Sequence, residues 1–552
     1  MMQSHGRALT LALALAIGLT ACSRDGEPGS TLPDASSSVA DYPDTRTHIR
    51  DLLASPDKDS LVTLTLAMGD TFSLSAPTVK YYRSLLRRGK PVWTEGTQLL
   101  PRGEQLIESL GKAGDDGLDP AAYGHPVALR IIRTLNSSPP DSLISRYVAD
   151  LDLVLTEGFN RYAMDLTRGT IDPGKVRAWR IPRAKPWEEN LLRMMIRGET
   201  PAAMVDRLRP QGPYYKRMMA AIARHREIQA SGGWPKVTGG KLEPGDSSAA
   251  VAQLRARLAA SDDPREVTLA TAGQARPLVF DDDLRDALRH FQDRHALEND
   301  GRLGEATLRE LNEPVDTRLS EILLNIDRWR WLPHDLGEFY VLVNVAGFEL
   351  EVVENNVAIE RMNVVVGQPG WNTPIFVDTM EHIVVNPSWN VPPSIAEREI
   401  LPAIARDPDY LAKNNMVRTA DGGFRQIPGP DNALGDYKFI FPNKDNIYLH
   451  DTPAKSLFSR TRRAFSHGCI RLERPADLAY LIASKATRLS PGEIRDKQRS
   501  GEEAWVKVTR TLPVYILYFT VWVDEDGTAR FYHDVYGHDE SLQEEATASA
   551  AL

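Results

Sequence analysis

The chain has 552 residues, too many for one hydrophobic core, and its length predicts three or four folded units. With 66 basic and 75 acidic residues the net charge is −9. No lysine or arginine block forms the footprint that a nucleic-acid partner needs, so that class of partner is not expected. The two cysteines, Cys22 and Cys469, are too few for a disulfide framework or a set of thiolate metal ligands.

Arg7 precedes an apolar run from Ala8 to Leu19. The run has the length of a secretory h-region and falls short of the ~20 apolar residues that cross a bilayer. Residues 1–22 are therefore read as an export signal. Its end, Leu19-Thr20-Ala21-Cys22, resembles the lipobox of bacterial lipoproteins. The resemblance implies a diacylated Cys22 at the mature N-terminus, a membrane partner through that lipid, and a periplasmic location. Because Ser23 stands where an aspartate would retain the protein at the inner membrane, it further implies the outer membrane. A plain signal peptide with a chance cysteine is the competing reading. Residues 23–45, rich in Ser, Gly, Pro and Asp, lack the apolar content to fold and form a flexible tether.

Residues 46–237 read as a helical scaffold. Leu151, Leu155, Phe159 and Tyr162 recur at three and four residues, and breakers such as Asp172-Pro173-Gly174 separate the helices. No catalytic constellation occurs there. Residues 240–312 form a second unit, with Leu254 and Leu258, then Leu284, Leu288 and Phe291, at helical spacing on two amphipathic helices, and a third short helix ending at Leu311. On physical grounds this is a small helical bundle. The segment Phe291-Gln292, Leu297, Asp300-Gly301, Leu303-Gly304, Thr307-Leu308 and Leu311-Asn312 resembles the three-helix peptidoglycan-binding module of wall enzymes.

After Trp331 the character changes to strands. Phe339 to Val345, the alternation Phe348 to Val353, the turn Asn355-Asn356 and the run Val357 to Val366 read as hairpins. A catalytic unit is placed at 335–485, with further strand runs at His382 to Asn386 and Tyr437 to Leu449. Residues 395–436 are longer than an ordinary connection and are read as an inserted lid. Residues 486–540 form an extension whose strands pack on this unit, and 541–552 a disordered tail.

The chemistry concentrates in Ser466-His467-Gly468-Cys469-Ile470-Arg471-Leu472, with His450 nineteen residues before the cysteine. A free thiol is a few per cent thiolate at neutral pH, so a working cysteine needs a base or a positive neighbour. His450, ending the strand-like run Ile447-Tyr448-Leu449, supplies the base. The ring must be oriented by a third group, either the Asp451 carboxylate or a backbone carbonyl near Asp451 or Thr452. Gly468 lets the backbone approach an incoming carbonyl, and the amides around Gly468 and Cys469 offer an oxyanion site. Ser466 and His467 belong to the same orienting loop. Arg471 binds a substrate carboxylate or favours the thiolate, unless it is simply a surface arginine paired with Glu473. Such a thiol mechanism needs no cofactor. A zinc site from His450, His467 and Cys469 lacks a further ligand at suitable spacing.

Together, Tyr448-Leu449-His450-Asp451-Thr452-Pro453, Arg463-Ala464-Phe465 and the cysteine heptapeptide closely resemble the catalytic motif of L,D-transpeptidases with a YkuD-type domain. Asn386-Pro387-Ser388-Trp389-Asn390-Val391-Pro392 and Pro428-Gly429-Pro430 through Asn443 also resemble large members of that family. The resemblance implies a multidomain α+β chain: helical scaffold, peptidoglycan-binding-like module, and a mainly β, sandwich-like catalytic domain with an inserted lid. It implies that Cys469 attacks the bond between the diamino acid and D-alanine of a tetrapeptide stem, and that a second stem's amine resolves the thioester into a 3→3 cross-link. Trp389 and Asn386 are then candidate substrate contacts, and peptidoglycan stems the donor and acceptor partners. An L,D-carboxypeptidase with the same nucleophile and a non-catalytic wall-binding lipoprotein are the alternatives.

Overall fold

The computed structural model describes residues 43–53, 62–85, 91–175, 178–183 and 198–543. The export signal, Cys22 and most of the tether lie outside the described residues. The tether's last residues already begin a helix, Pro43–Leu52. Among the described residues no helix is long and apolar enough to cross a membrane.

The scaffold is organised on the long helix Asp141–Arg168, in which Leu151, Leu155, Phe159 and Tyr162 are fully buried as their spacing predicts. Its buried acids anchor the segments around it. Asp150 accepts from the Ala67 amide at 2.6 Å, Asp152 from the Trp93 amide at 2.8 Å and the Tyr82 hydroxyl at 2.7 Å, and Glu157 from the Ser75 amide at 3.0 Å. Buried carboxylates persist only with such partners. The scaffold is not purely helical: hairpins pair Val62–Thr65 with Thr71–Leu74 and Thr94–Glu95 with Gln98–Leu99.

The wall-module segment buries Leu254, Leu258, Leu284, Leu288, Phe291 and Leu311 in one core. It contains four helices rather than the expected three, Ala249–Ala259, Pro264–Ala272, Asp282–Arg294 and Glu305–Leu311. The extra one starts at Asp263-Pro264, where the aspartate caps the Arg265 amide at 2.8 Å and proline occupies the first turn, a start signal legible in the sequence.

The helix Val315–Trp331, which periodicity did not predict, leads from this module to the catalytic unit and packs on Pro213–Ala230 of the scaffold. Arg330, 1% exposed, bonds Asp327 at 3.0 Å and the Tyr215 hydroxyl at 2.9 Å. Asp327 in turn receives the Thr170 amide at 2.9 Å and the Ile171 amide at 3.1 Å. These buried pairs tie the scaffold to this connecting helix.

The catalytic unit is built on one sheet of 11 strands. In chain order they are β1 Phe339–Asn344, β2 Glu349–Glu354, β3 Val357–Gly367, β4 Phe376–Thr379, β5 His382–Val385, β6 Tyr437–Ile440, β7 Leu449–His450, β8 Ala464–Ser466, β9 Ile470–Leu472, β10 Ala504–Lys507 and β11 Pro513–Leu517. Their spatial order is β10-β5-β6-β7-β9-β3-β2-β1-β11-β4, with β8 paired to β3. Of the strands in the C-terminal extension, β10 and β11 are members of this sheet, while Val521–Val523 and Ala529–Phe531 form a separate hairpin whose side chains join the same core. The expected tail is also shorter: residues 541–543 are helical and Leu542, 1% exposed, joins the core, while 544–552 lie outside the described residues.

The insertion is folded, not an extended loop. Helices Pro393–Ile395, Leu401–Arg406 and Tyr410–Lys413, a π-helical turn Ala396–Ile400, and a three-stranded sheet of Trp389–Asn390, Met416–Arg418 and Phe424–Gln426 enclose a small core of Val391, Ala396, Ile400, Met416 and Phe424. Each piece is too short to show a period, so the sequence reads as a loop.

Candidate active site

The parallel pairing of β7 with β9 builds the site. Its register sets Leu449 opposite Ile470 and His450 opposite Arg471, so Cys469, immediately before β9, lies beside Tyr448 at the start of β7. The Ile470 amide closes this corner on the Tyr448 carbonyl at 3.1 Å. Cys469 is half-buried, and its thiol faces the Asn446 carbonyl at 3.8 Å. The Asn443 side chain holds that carbonyl's loop by accepting the Ile447 amide at 2.9 Å and donating to the Ile447 carbonyl at 2.7 Å.

His450 is buried, and its Nδ1 meets the Asp451 carbonyl at 2.5 Å. A carbonyl only accepts, so Nδ1 carries the proton and Nε2 presents a lone pair. The third member is therefore the backbone oxygen. The Asp451 carboxylate is committed elsewhere, to the Asp436 amide at 2.9 Å, the Thr452 amide at 2.7 Å and Lys455 Nζ at 2.7 Å.

Burial, then the Arg471 charge, then that of Lys438, depress the imidazole to about 3, against the opposing hydrogen bond to Asp451. Burial pushes the Cys469 thiol up, while hydrogen bonds from Tyr448 and the charges of Lys438 and Arg471 act in the opposite sense. The resting pair is thus neutral thiol and neutral imidazole. Alkylation of resting Cys469 by iodoacetamide is expected to climb through the alkaline range; a high, flat rate down to about pH 5 would reveal a standing thiolate-imidazolium pair instead.

The loop before β9 that carries Cys469 is braced from several directions. Ser466 Oγ donates to the Cys469 carbonyl at 2.5 Å and accepts the Gly468 amide at 3.2 Å. That commitment removes Gly468 from the expected oxyanion donors. The His467 and Cys469 amides have no acceptor among the described residues and remain free to donate. Gly468 has φ +112°, a left-handed conformation that disfavours any side chain, and this adds to its role in backbone approach. Thr373 Oγ1, overlooked in the sequence, donates to the Gly468 carbonyl at 2.8 Å, and Tyr536 from the C-terminal region accepts the Thr373 amide at 3.2 Å.

Two cations flank the thiol. Arg471 does not pair with Glu473; its Nε is buried without a hydrogen-bond partner, and no carboxylate among the described residues forms an ion pair with it. Lys438, paired across the sheet with His450, lies with Nζ 4.0 Å from the Tyr448 ring centroid. Burial lowers the pKa of both cations. His467 turns to Glu399 of the insertion, Nε2 to Oε1 2.8 Å, and meets Trp371 edge-on at 5.0 Å. Arg398 of the insertion covers Trp371 at 4.8 Å. The insertion therefore rests on the loop before β9 through Glu399 and on Trp371 through Arg398.

The two expected substrate contacts separate. Trp389 is half-buried beside the Tyr448 hydroxyl and stays in the site. Asn386 does not: with φ +49° it donates Nδ2 to the carbonyls of Lys497 at 2.9 Å and of Gln498 and Glu502 at 3.1 Å, which makes it a staple for that turn. A strand-end asparagine gives no sequence signal that distinguishes the two roles.

Residues 338–508 match the family model of the L,D-transpeptidase catalytic domain, YkuD. The catalytic unit is an L,D-transpeptidase domain. Its match extends beyond the expected boundary at 485 to take in β10. Residues 77–222 match a scaffold domain, and 247–311 a "Putative peptidoglycan binding domain". A "Putative L,D-transpeptidase" of Haemophilus influenzae is 31% identical over 248 residues, 40% of this chain and 48% of that protein. The chain thus spans about half the length of this curated relative. Among solved structures, an L,D-transpeptidase from Mycobacterium smegmatis shares 14% identity over 33% of this chain and 58% of its own, with TM-score 0.18. One from Stackebrandtia nassauensis shares 14% over 51% of this chain and 96% of its own, with TM-score 0.20. Within the L,D-transpeptidase domain, the sheet supplies Lys438, His450 and Arg471, and the loop before β9 supplies Cys469.

Proposed function

We propose that the chain is an exported peptidoglycan L,D-transpeptidase whose nucleophile is Cys469 and whose base is His450. The observation that supports this reading is the β7–β9 register, which pairs His450 with Arg471, two residues after Cys469, while His450 Nδ1 is held on the Asp451 carbonyl. His450 Nε2 takes the thiol proton as Sγ bonds to the carbonyl carbon between the diamino acid and D-alanine. The amides of His467 and Cys469 receive the oxyanion, and Arg471, which forms no ion pair among the described residues, receives a substrate carboxylate. Collapse breaks the C–N bond, and the imidazolium returns its proton to the departing amine. The side-chain amine of a second stem then attacks the thioester, His450 takes the amine's proton, the C–S bond breaks, and a 3→3 cross-link forms. Cys22, as a diacylated residue, would hold the enzyme at the outer membrane through the tether; intact mass of membrane-extracted protein tests this, and an unmodified Cys22 would refute the anchor.

A carboxypeptidase uses the same first half-reaction with water as acceptor, so the two readings differ at the thioester. Protein beginning after Cys22, incubated with disaccharide tetrapeptides, is expected to give 3→3 dimers by mass spectrometry. Tripeptide alone would favour the carboxypeptidase, and no thiol-dependent product would refute both.

The insertion excludes water from the thioester by resting on His467 and Trp371. Removing those contacts in the double variant Glu399→Ala, Arg398→Ala is expected to raise the ratio of tripeptide to dimer several-fold. An unchanged ratio would remove the insertion from acceptor selection.

A further inference from the structure

We propose that Trp505 and Glu503 form an accessory subsite that stacks a pyranose ring of the donor glycan strand; this rests on the stem-peptide reading of the active site. Trp505 is the most exposed large hydrophobic residue of the described chain, at 58%, and it stands on β10, the edge strand beyond β5. A bulky exposed aromatic on an unpaired edge invites association, and edges normally carry charges instead. This indole is also fixed in orientation. Nε1 donates to Glu503 Oε1 at 2.9 Å, and His382 meets the ring at 71° with centroids 5.6 Å apart. Glu503 is itself held by the Ser388 amide at 2.7 Å, directly before Trp389. An immobilised ring with an open face suits the axial C–H surface of a sugar, which meets the electron-rich face of an aromatic.

The sheet register places this platform relative to the chemistry. Trp505 pairs with Val384, Val384 with Lys438, Lys438 with His450, and His450 with Arg471. Directly opposed residues share a face, so the indole, Lys438, His450 and Arg471 lie in one row on one side of the sheet, with Cys469 two residues before Arg471 on the same side. Four strand spacings of ~4.8 Å separate Trp505 from β9, the strand that Cys469 precedes, about 19 Å. In the donor, three stem residues and the linker to the sugar precede the scissile bond. Four such units extend at most about 13 to 14 Å. A stem stretched along the row from Cys469 therefore ends its linker short of β10, and the disaccharide that continues beyond the linker covers the remaining distance to Trp505.

The test compares two donors, the disaccharide tetrapeptide and the same tetrapeptide without sugar, in full chains carrying Trp505→Ala or Trp505→Phe. The expected result is a KM for the disaccharide donor raised about tenfold by Trp505→Ala, equivalent to about 1.4 kcal/mol of binding. Its kcat, and both constants for the sugar-free donor, stay unchanged, and Trp505→Phe restores most of the loss. Equal changes for both donors, or none for either, would overturn the subsite. If the unsubstituted protein turns over neither donor, the transpeptidase reading fails separately. Binding of peptide-free glycan strands to Cys469→Ala, with and without Trp505→Ala, then decides the platform: about tenfold weaker binding supports it, and equal binding overturns it.

Discussion

Cys469→Ala is expected to lower turnover by at least about 10⁴-fold while leaving the fold intact, because a covalent route disappears with its nucleophile and only binding and oxyanion stabilisation remain. The thiol is half-buried, and its polar contacts, the Asn446 carbonyl at 3.8 Å and Tyr448, are weak thiol hydrogen bonds, so little stability is lost. The melting temperature should shift by no more than a few degrees. Retained activity in that variant would transfer the chemistry to another group, and a collapsed fold would make Cys469 structural.

His450→Gln is expected to cut kcat by about 10² to 10⁴-fold, the usual contribution of a positioned general base, with KM little changed. Glutamine keeps a donor for the Asp451 carbonyl but has no basic lone pair equivalent to Nε2. The same variant carries a stability signature. The imidazole is lowered from 6.5 to about 3 in the fold, so on acidification the unfolded chain takes up this proton first. The native state is therefore penalised progressively as pH falls from about 6.5 towards 3, by up to about 5 kcal/mol, and the penalty is absent above that window. Denaturation at about pH 7 and pH 4 should show a smaller acid loss in His450→Gln than in the unsubstituted protein. An identical loss would mean that the ring protonates freely in the fold.

The residue types of the site are legible in the sequence because a nucleophile, a base and a glycine sit within a short span. What orients them is long-range. That the Asp451 carbonyl rather than its carboxylate holds His450 depends on the amide of Asp436, on a different strand connection, which captures the carboxylate first. Gly468 reads as an oxyanion donor until Ser466 Oγ takes its amide. Asn386 reads as a substrate contact because it adjoins the Trp389 motif, yet three carbonyls of a turn over 110 residues away claim it. Lys438 carries no signal by itself; only the β6–β7 register brings it beside His450.

The fold follows the same division. Scaffold and wall-module helices declare themselves through one-sided apolar spacing, as in Leu284, Leu288 and Phe291. The Val315–Trp331 helix does not, because from Leu324 to Trp331 it is buried on every face, with Asp327 and Arg330 hidden as a pair. A helix without a wet face has no amphipathic period. The β11 strand is expected within the C-terminal extension, but its place between β1 and β4 is not, because that is set by partners more than 130 residues earlier.

The most direct test of the acyl-transfer account is intact-mass analysis of the protein quenched in acid during turnover of disaccharide tetrapeptide, followed by peptide mapping. The account predicts an added mass equal to the substrate less D-alanine, borne by the peptide containing Cys469 and released by hydroxylamine as a thioester. Cross-linked product without an adduct on Cys469, or an adduct that persists in Cys469→Ala, would contradict it.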